Sequence, residues 1–246
     1  MKKYLLIFTL LMISFCVSAQ MITVIPKIGA TISTVSMPDS DVLPILGSSF
    51  ENEIKSKPGF TFGVALNYYI NEMISIQPEL SFIQKGYTEK SFSTYTEEFE
   101  GRITTFESSY KNSMTLNYLE IPVLARASFG RTTKFFFLIG PSLGVGLGGK
   151  AKSEGTTTES YDDEVDTYSY DDETTIKFGT PTEEDGNQYI DNRIDFGVQF
   201  GGGIFVLNKI LIEARYGLGL SSLYDSDYDV KNRVFQVTVG IPLRLN

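Results

Sequence analysis

The sequence predicts an all-β fold, an eight-stranded antiparallel up-and-down transmembrane β-barrel with short periplasmic turns and long extracellular loops. Three observations lead there: a period of two in apolar residues, strands long enough to cross a bilayer, and connections that sort by length. From Asn117 to Gly149 the chain reads NYLEIPVLARASFGRTTKFFFLIGPSLGVGLGG. Phe135, Phe137, Ile139, Pro141, Leu143, Val145 and Leu147 fall on one face, and Phe136, Leu138, Gly140, Ser142, Gly144, Gly146 and Gly148 on the other. A period of two puts one set on each side of a sheet. Such runs reach the length of about nine to eleven tilted residues that a transmembrane strand needs.

The chain opens MKKYLLIFTLLMISFCVSAQ, with two lysines, an apolar run from Leu5 to Val17 and small residues before Gln20. This is the layout of a secretory signal over residues 1–19, with cleavage after Ala19. The alternatives, a membrane helix or a lipid on Cys16, suit it less: the apolar run is short, and the bulky Phe15 precedes the cysteine. Cleavage removes the only cysteine and leaves a single outer-membrane domain over 20–246. The full-length net charge of −9 includes Lys2 and Lys3 and so becomes −11 after cleavage, which argues against nucleic acid as a partner.

Eight strands follow in order. The first, 24–35, sets Pro26, Ile28, Ala30 and Ile32 against Lys27, Gly29, Thr31 and Ser33. A loop at 38–58 leads to the second strand, 59–70, and Asn71-Glu72 turns into the third, 73–87. The polar segment 88–113 reads as a long loop. Strands four and five are the pair at 117–149, and a longer polar insert runs to about Tyr189. Strand six (190–206), a turn at 207–209, strand seven (210–221), a loop at 224–231 and strand eight complete the chain. The connections alternate long and short, which in an up-and-down barrel places all the short ones at one rim.

Period two alone does not separate a membrane barrel from a soluble barrel or sandwich. The more polar face favours the membrane, because it holds Gly, Ser, Ala and Thr rather than the long charged side chains that coat soluble exteriors. Its charges have both signs: Lys27, Glu79, Glu120, Arg126, Arg193, Asp195, Glu213, Arg215 and Arg244. A narrow lumen would oblige them to pair, so they are expected to form a structural charge network.

Several motifs, in order, resemble the Bacteroidetes-type outer-membrane β-barrel domain family (porin family, PorT-like). They are PELSFIQKG at Pro78–Gly86, NYLEIPVLAR at Asn117–Arg126, GPSLG at Gly140–Gly144, DFGVQFGGG at Asp195–Gly203 and EARYGLGL at Glu213–Leu220. The resemblance implies an eight-stranded outer-membrane barrel after signal cleavage, and says little about activity.

The chain has no histidine, which removes serine–histidine and aspartate–histidine chemistry. Paired carboxylates such as Glu79 with Glu120, or Asp195 with Glu213, could in principle act as acid and base. The nearby Arg126, Arg193 and Arg215 favour ion pairs instead, so no enzyme, catalytic site or cofactor is expected. The acidic segment 154–185 carries YDDEVDTYSYDDE and EED. It is read as a solvated loop, with contact to a basic protein or to a cation such as Ca²⁺ as the functional alternative. The expected function is therefore a structural or interaction role in the outer membrane, in contact with its lipid and with the outer loops as contact surface. A small-solute channel and an accessory part in a gliding-associated secretion system are the alternatives.

Overall fold

The computed structural model describes residues 22–37, 48–99, 101–131, 133–161, 164–181, 185–207, 209–225 and 229–244. The predicted signal, 1–19, lies outside the described residues. Eleven strands form one sheet. They are β1 (Ile22–Ser36), β2 (Ser48–Tyr69), β3 (Ile74–Phe99), β4 (Arg102–Phe129), β5 (Lys134–Tyr161), β6 (Glu164–Phe178), β7 (Gln188–Ile190), β8 (Ile194–Val206), β9 (Ile210–Gly219), β10 (Lys231–Gly240) and β11 (Leu243–Arg244).

Eight of them are joined in a ring of antiparallel ladders, β1–β2–β3–β4–β5–β8–β9–β10 and back to β1. β6 pairs with the distal half of β5, β7 lies parallel to the end of β6, and β11 pairs with the start of β1. This corrects the expected eight-stranded up-and-down barrel on three points. Among the described residues there are eleven strands, one pairing is parallel, and the strands do not sit evenly round one axis.

The long loops are corrected as well. Segment 88–113 is the continuation of β3 and β4, which pair without a break from Lys85↔Leu116 to Phe99↔Arg102. Residues 150–161 are the rest of β5 and 164–178 are β6, and the start of β2 pairs with β3 from Ser48↔Tyr95 to Ser56↔Tyr87. All these extensions lie at one end of the ring, so β2 to β6 form a sheet that projects beyond it. Threonine and serine ladders line it, such as Thr158–Thr167, Thr156–Ser169 and Thr96–Thr105. Cross-strand hydroxyl pairs of this kind stabilise a sheet that has water on both faces.

The short connections at the other end are built locally. Asn71 Oδ1 accepts from the backbone N–H of Met73 (2.9 Å) and Ile74 (2.8 Å), an Asx turn that closes the β2–β3 hairpin. Where the ring passes into the projecting sheet, the β4–β5 register slips between Asn117 and Tyr118. Gly148, at φ +137°, absorbs the extra residue there, in a region that side chains disfavour.

The ring is inside-out relative to a soluble protein. Outward side chains are apolar and exposed, among them Ile28 and Phe137, each at 67%. Inward ones include two apolar layers. One, towards the short turns, joins Ile25, Ala65, Leu124, Phe136, Leu138, Phe205 and Leu211. The other, towards the projecting sheet, gathers residues such as Ile83, Leu116, Tyr118, Ile176, Ile190 and Leu223.

Candidate functional site

Between these layers the inward positions are charged. On β9, Leu211 is followed on the same face by Glu213 and Arg215; on β1, Ile25 is followed by Lys27. Lys27 Nζ lies 2.6 Å from Glu79 Oε1 and 3.1 Å from Glu213 Oε1. Arg215 grips both oxygens of Glu79 through Nη2, at 2.8 and 2.7 Å, and donates from Nε to Glu213 Oε1 at 2.5 Å. Gln77 also donates to Glu79. Arg126 is set into the apolar layer, its guanidinium carbon 3.8 Å from the centroid of Phe136 and 4.9 Å from that of Phe205. Its ion pair with Glu213 is long, 3.5 Å, and its nitrogens have no hydrogen-bond acceptor among the described residues.

A second cluster stands nearer the projecting sheet. Lys85 Nζ bridges Glu120 (2.8 Å) and Asp195 (2.9 Å), and Asn232 donates to Asp195 at 2.8 Å. Gln199 ties the clusters together, donating to Glu120 at 2.7 Å and accepting from Arg215 at 3.0 Å. Four cations (Lys27, Lys85, Arg126, Arg215) thus face four carboxylates (Glu79, Glu120, Asp195, Glu213), and all eight are buried.

Of the nine residues expected in the network, seven are therefore brought together in these two clusters. Arg193 and Arg244 do not join them. Arg193 is exposed in the connection before β8, where its carbonyl accepts from Gly146 N at 2.8 Å. Arg244 is exposed on β11 and lines a shallow cavity of about 730 Å³ at the short-turn end, with Arg131, Lys134 and Glu72. Lys85 and Gln199 were not among the expected members. For Lys85 the signal is the same period of two: it shares its parity with Gln77, Glu79 and Ser81.

Little space remains inside. A cavity of about 20 Å³ adjoins Lys85, Glu120 and Asp195, and one of about 10 Å³ adjoins Lys27, Glu79 and Arg215. A cavity needs roughly 10–15 Å³ to hold one water molecule, so neither offers a path.

The projecting sheet is the second candidate. Its two faces differ. One continues the ring's outer face and carries the lysines of β4 and β5: Lys111–Glu154 at 2.7 Å, Lys152–Glu154 at 2.7 Å, Lys152–Asp171 at 3.1 Å and Lys150–Glu173 at 2.5 Å. Hydrogen bonds from Lys111, then Lys152, pull the Glu154 carboxyl down to about 2. The other face continues the interior and carries tyrosines and carboxylates held by polar side chains, such as Glu89 by Asn52 at 2.8 Å and Asp166 by the Tyr161 phenol at 3.3 Å. There Glu164 accepts from the Tyr161 phenol and pushes it up to about 12. The acidic segment 154–185 is thus largely strand rather than loop, and no group of three or more potential metal ligands gathers among the described residues.

Residues 19–225 match the family described as outer membrane protein beta-barrel domain. The chain belongs to that family. This family member is an outer-membrane protein built of β-sheet. No curated protein sequence matches it. Among solved structures it is similar to Ail, the attachment invasion locus protein of Yersinia pestis, at 14% identity over 90% of this chain and 98% of that one, with a TM-score of 0.37. Neisserial surface protein A is similar at 14% identity, over 90% and 96% of the two chains, with a TM-score of 0.31. The translocator domain of the autotransporter NalP from Neisseria meningitidis gives 12% identity over 98% and 95%, with a TM-score of 0.26.

Proposed function

We propose that this protein is an anchored contact module of the outer membrane. The apolar outer face of the ring lies against lipid, the interior is closed, and the projecting sheet is offered to a partner outside the cell. The observation that carries the reading is the filled interior: eight buried charges, balanced four against four, between two apolar layers. A conducting pore needs a continuous wet path, and ion pairs at 2.6–2.9 Å across the interior support a plugged ring instead. Lipid contact is supported by the outward side chains. Phe62, Leu80, Val123, Phe137, Ile139 and Phe200, on the successive strands β2, β3, β4, β5 and β8, are 43–67% exposed, and a continuous apolar surface of that kind marks a membrane or partner. The sheet is assigned to the outer side because larger extramembrane parts of outer-membrane proteins face outward. A signal over 1–19, cleaved after Ala19, would deliver the chain there. Placement in the Bacteroidetes PorT-like branch is supported by the sequence motifs alone.

The test is conductance in planar bilayers. The purified protein is expected to insert without steps above background, and to be cut by protease on whole cells only within its projecting part. A stable conductance in the nanosiemens range would replace the contact module with the small-solute channel.

A further inference from the structure

The projecting sheet presents two unlike faces, and the registers say which residues share each. On the face that continues the ring's interior, one cross-strand row holds Asn52, Ser91, Tyr110, Gly155 and Tyr170, from five successive strands. The neighbouring rows on that face bring Phe50, Tyr95, Phe106 and Tyr168. Most of these rings are open to water: Tyr168 is 61% exposed and Tyr170 52%. They are also arranged. Tyr95 stacks on Phe106 at 4.7 Å between centroids, and Tyr110 meets Tyr170 at 6.3 Å across β5. Gly155 allows that meeting, because a side chain there would put its first carbon 2.2 Å from the Tyr170 ring.

Among the rings stand Glu89, Glu97, Glu159, Glu164, Asp166 and Asp172. The described residues of this face include one base, Arg102 at the tip, which lies over the Tyr161 ring at 5.7 Å. The opposite face is different. Lys55, Lys90, Lys111, Lys150 and Lys152 all project there, and four of them are in ion pairs with carboxylates of that same face. One face is thus largely self-neutralised, and the other keeps its negative charge beside exposed aromatic rings.

We infer that the tyrosine–carboxylate face of the projecting sheet is a docking surface for a cationic, arginine- or lysine-rich polypeptide segment. The charge selects a cation, since a face with six carboxylates repels lipopolysaccharide phosphates, nucleic acid and acidic protein. The rings select guanidinium or ammonium groups on a chain, because such groups stack on tyrosine faces while carboxylates hold their N–H groups. An inorganic cation would use only the carboxylates, and they are not gathered round one point. The inference rests on the contact-module reading, and names the face and the partner's chemistry.

The experiment titrates the full-length protein in zwitterionic detergent micelles with a deca-arginine peptide, and with deca-glutamate as control, by isothermal calorimetry. Two triple variants remove the same charge from opposite faces: Glu159→Gln with Asp166→Asn and Asp172→Asn, and Glu107→Gln with Asp171→Asn and Glu173→Gln. The first is expected to weaken deca-arginine binding about tenfold, and the second no more than about threefold. The double variant Tyr168→Ala with Tyr170→Ala, which changes no charge, should weaken it about fivefold. Deca-glutamate should not bind. Equal losses from the two faces would reduce the effect to diffuse electrostatics and overturn the inference, as would an unchanged affinity in the tyrosine variant. No binding of deca-arginine would overturn it too, while the contact-module reading stands or falls separately on conductance. Should the tyrosine variant fail to fold, the two charge variants still decide.

Discussion

Glu213 and Arg126 show how differently two buried charges can be held. Glu213 serves three cations, Lys27, Arg126 and Arg215. Its change to glutamine leaves those three with Glu79 as their only carboxylate, and is expected to cost about 3–5 kcal/mol in urea unfolding from lipid vesicles. Arg126 has one loose ion pair and two aromatic neighbours. Arg126→Met keeps the volume and leaves Glu213 with two close cations, so it should change stability by less than about 1 kcal/mol in the same measurement. On the outside, Phe137→Arg puts a guanidinium where the proposed lipid lies and is expected to cost about 2–4 kcal/mol if the site is near mid-bilayer. The same change in detergent, where the head can reach water, should cost much less.

At the scale of the element, the ring strands were legible in the sequence and the projecting sheet was not. Phe135–Leu147 announces itself because one face is greasy and the other small, an alternation imposed by two different surroundings. Residues 88–99, 101–113, 152–161 and 164–175 carry mostly exposed or half-buried side chains on both faces, so no strong alternation is imposed, and their Ser, Thr and Glu read as loop. Their strand character comes from partners distant in sequence, such as Ser108 with Thr157. The interior charges were legible by parity where the strand was recognised. Lys85 lies inside the predicted third strand, 73–87, with the parity of Glu79, yet escapes the expected network, and Arg193 misleads because β8 starts one residue after it. The pairing of β4 with β5 also has a pH signature. The Glu154 carboxyl is held down to about 2 from an ordinary 4.5 by Lys111 and Lys152, so the stability it adds is complete above pH 4.5 and is lost as pH falls towards 2. Hydrogen exchange at the amides around Lys111 and Glu154 should therefore rise across that window, with ring amides unchanged. High salt should blunt the effect, since the groups are exposed.

For the whole molecule, the position of the charges has a consequence for assembly. Lys27 and Glu213 are 186 residues apart in sequence, and β1 meets β10 only when nearly the entire chain has been delivered. Until that last ladder forms, Lys27 and Glu79 lack one carboxylate and one guanidinium, and a partly built ring inserted in hydrocarbon would carry bare ions. A growing chain therefore gains little from entering the bilayer strand by strand. Closure and insertion are favoured as one concerted event, with the unfinished protein kept in water by a holder until β9 and β10 arrive. A chain truncated before Ile210 should accumulate outside the membrane, bound to periplasmic chaperones or degraded, even though it retains most of its apolar strands.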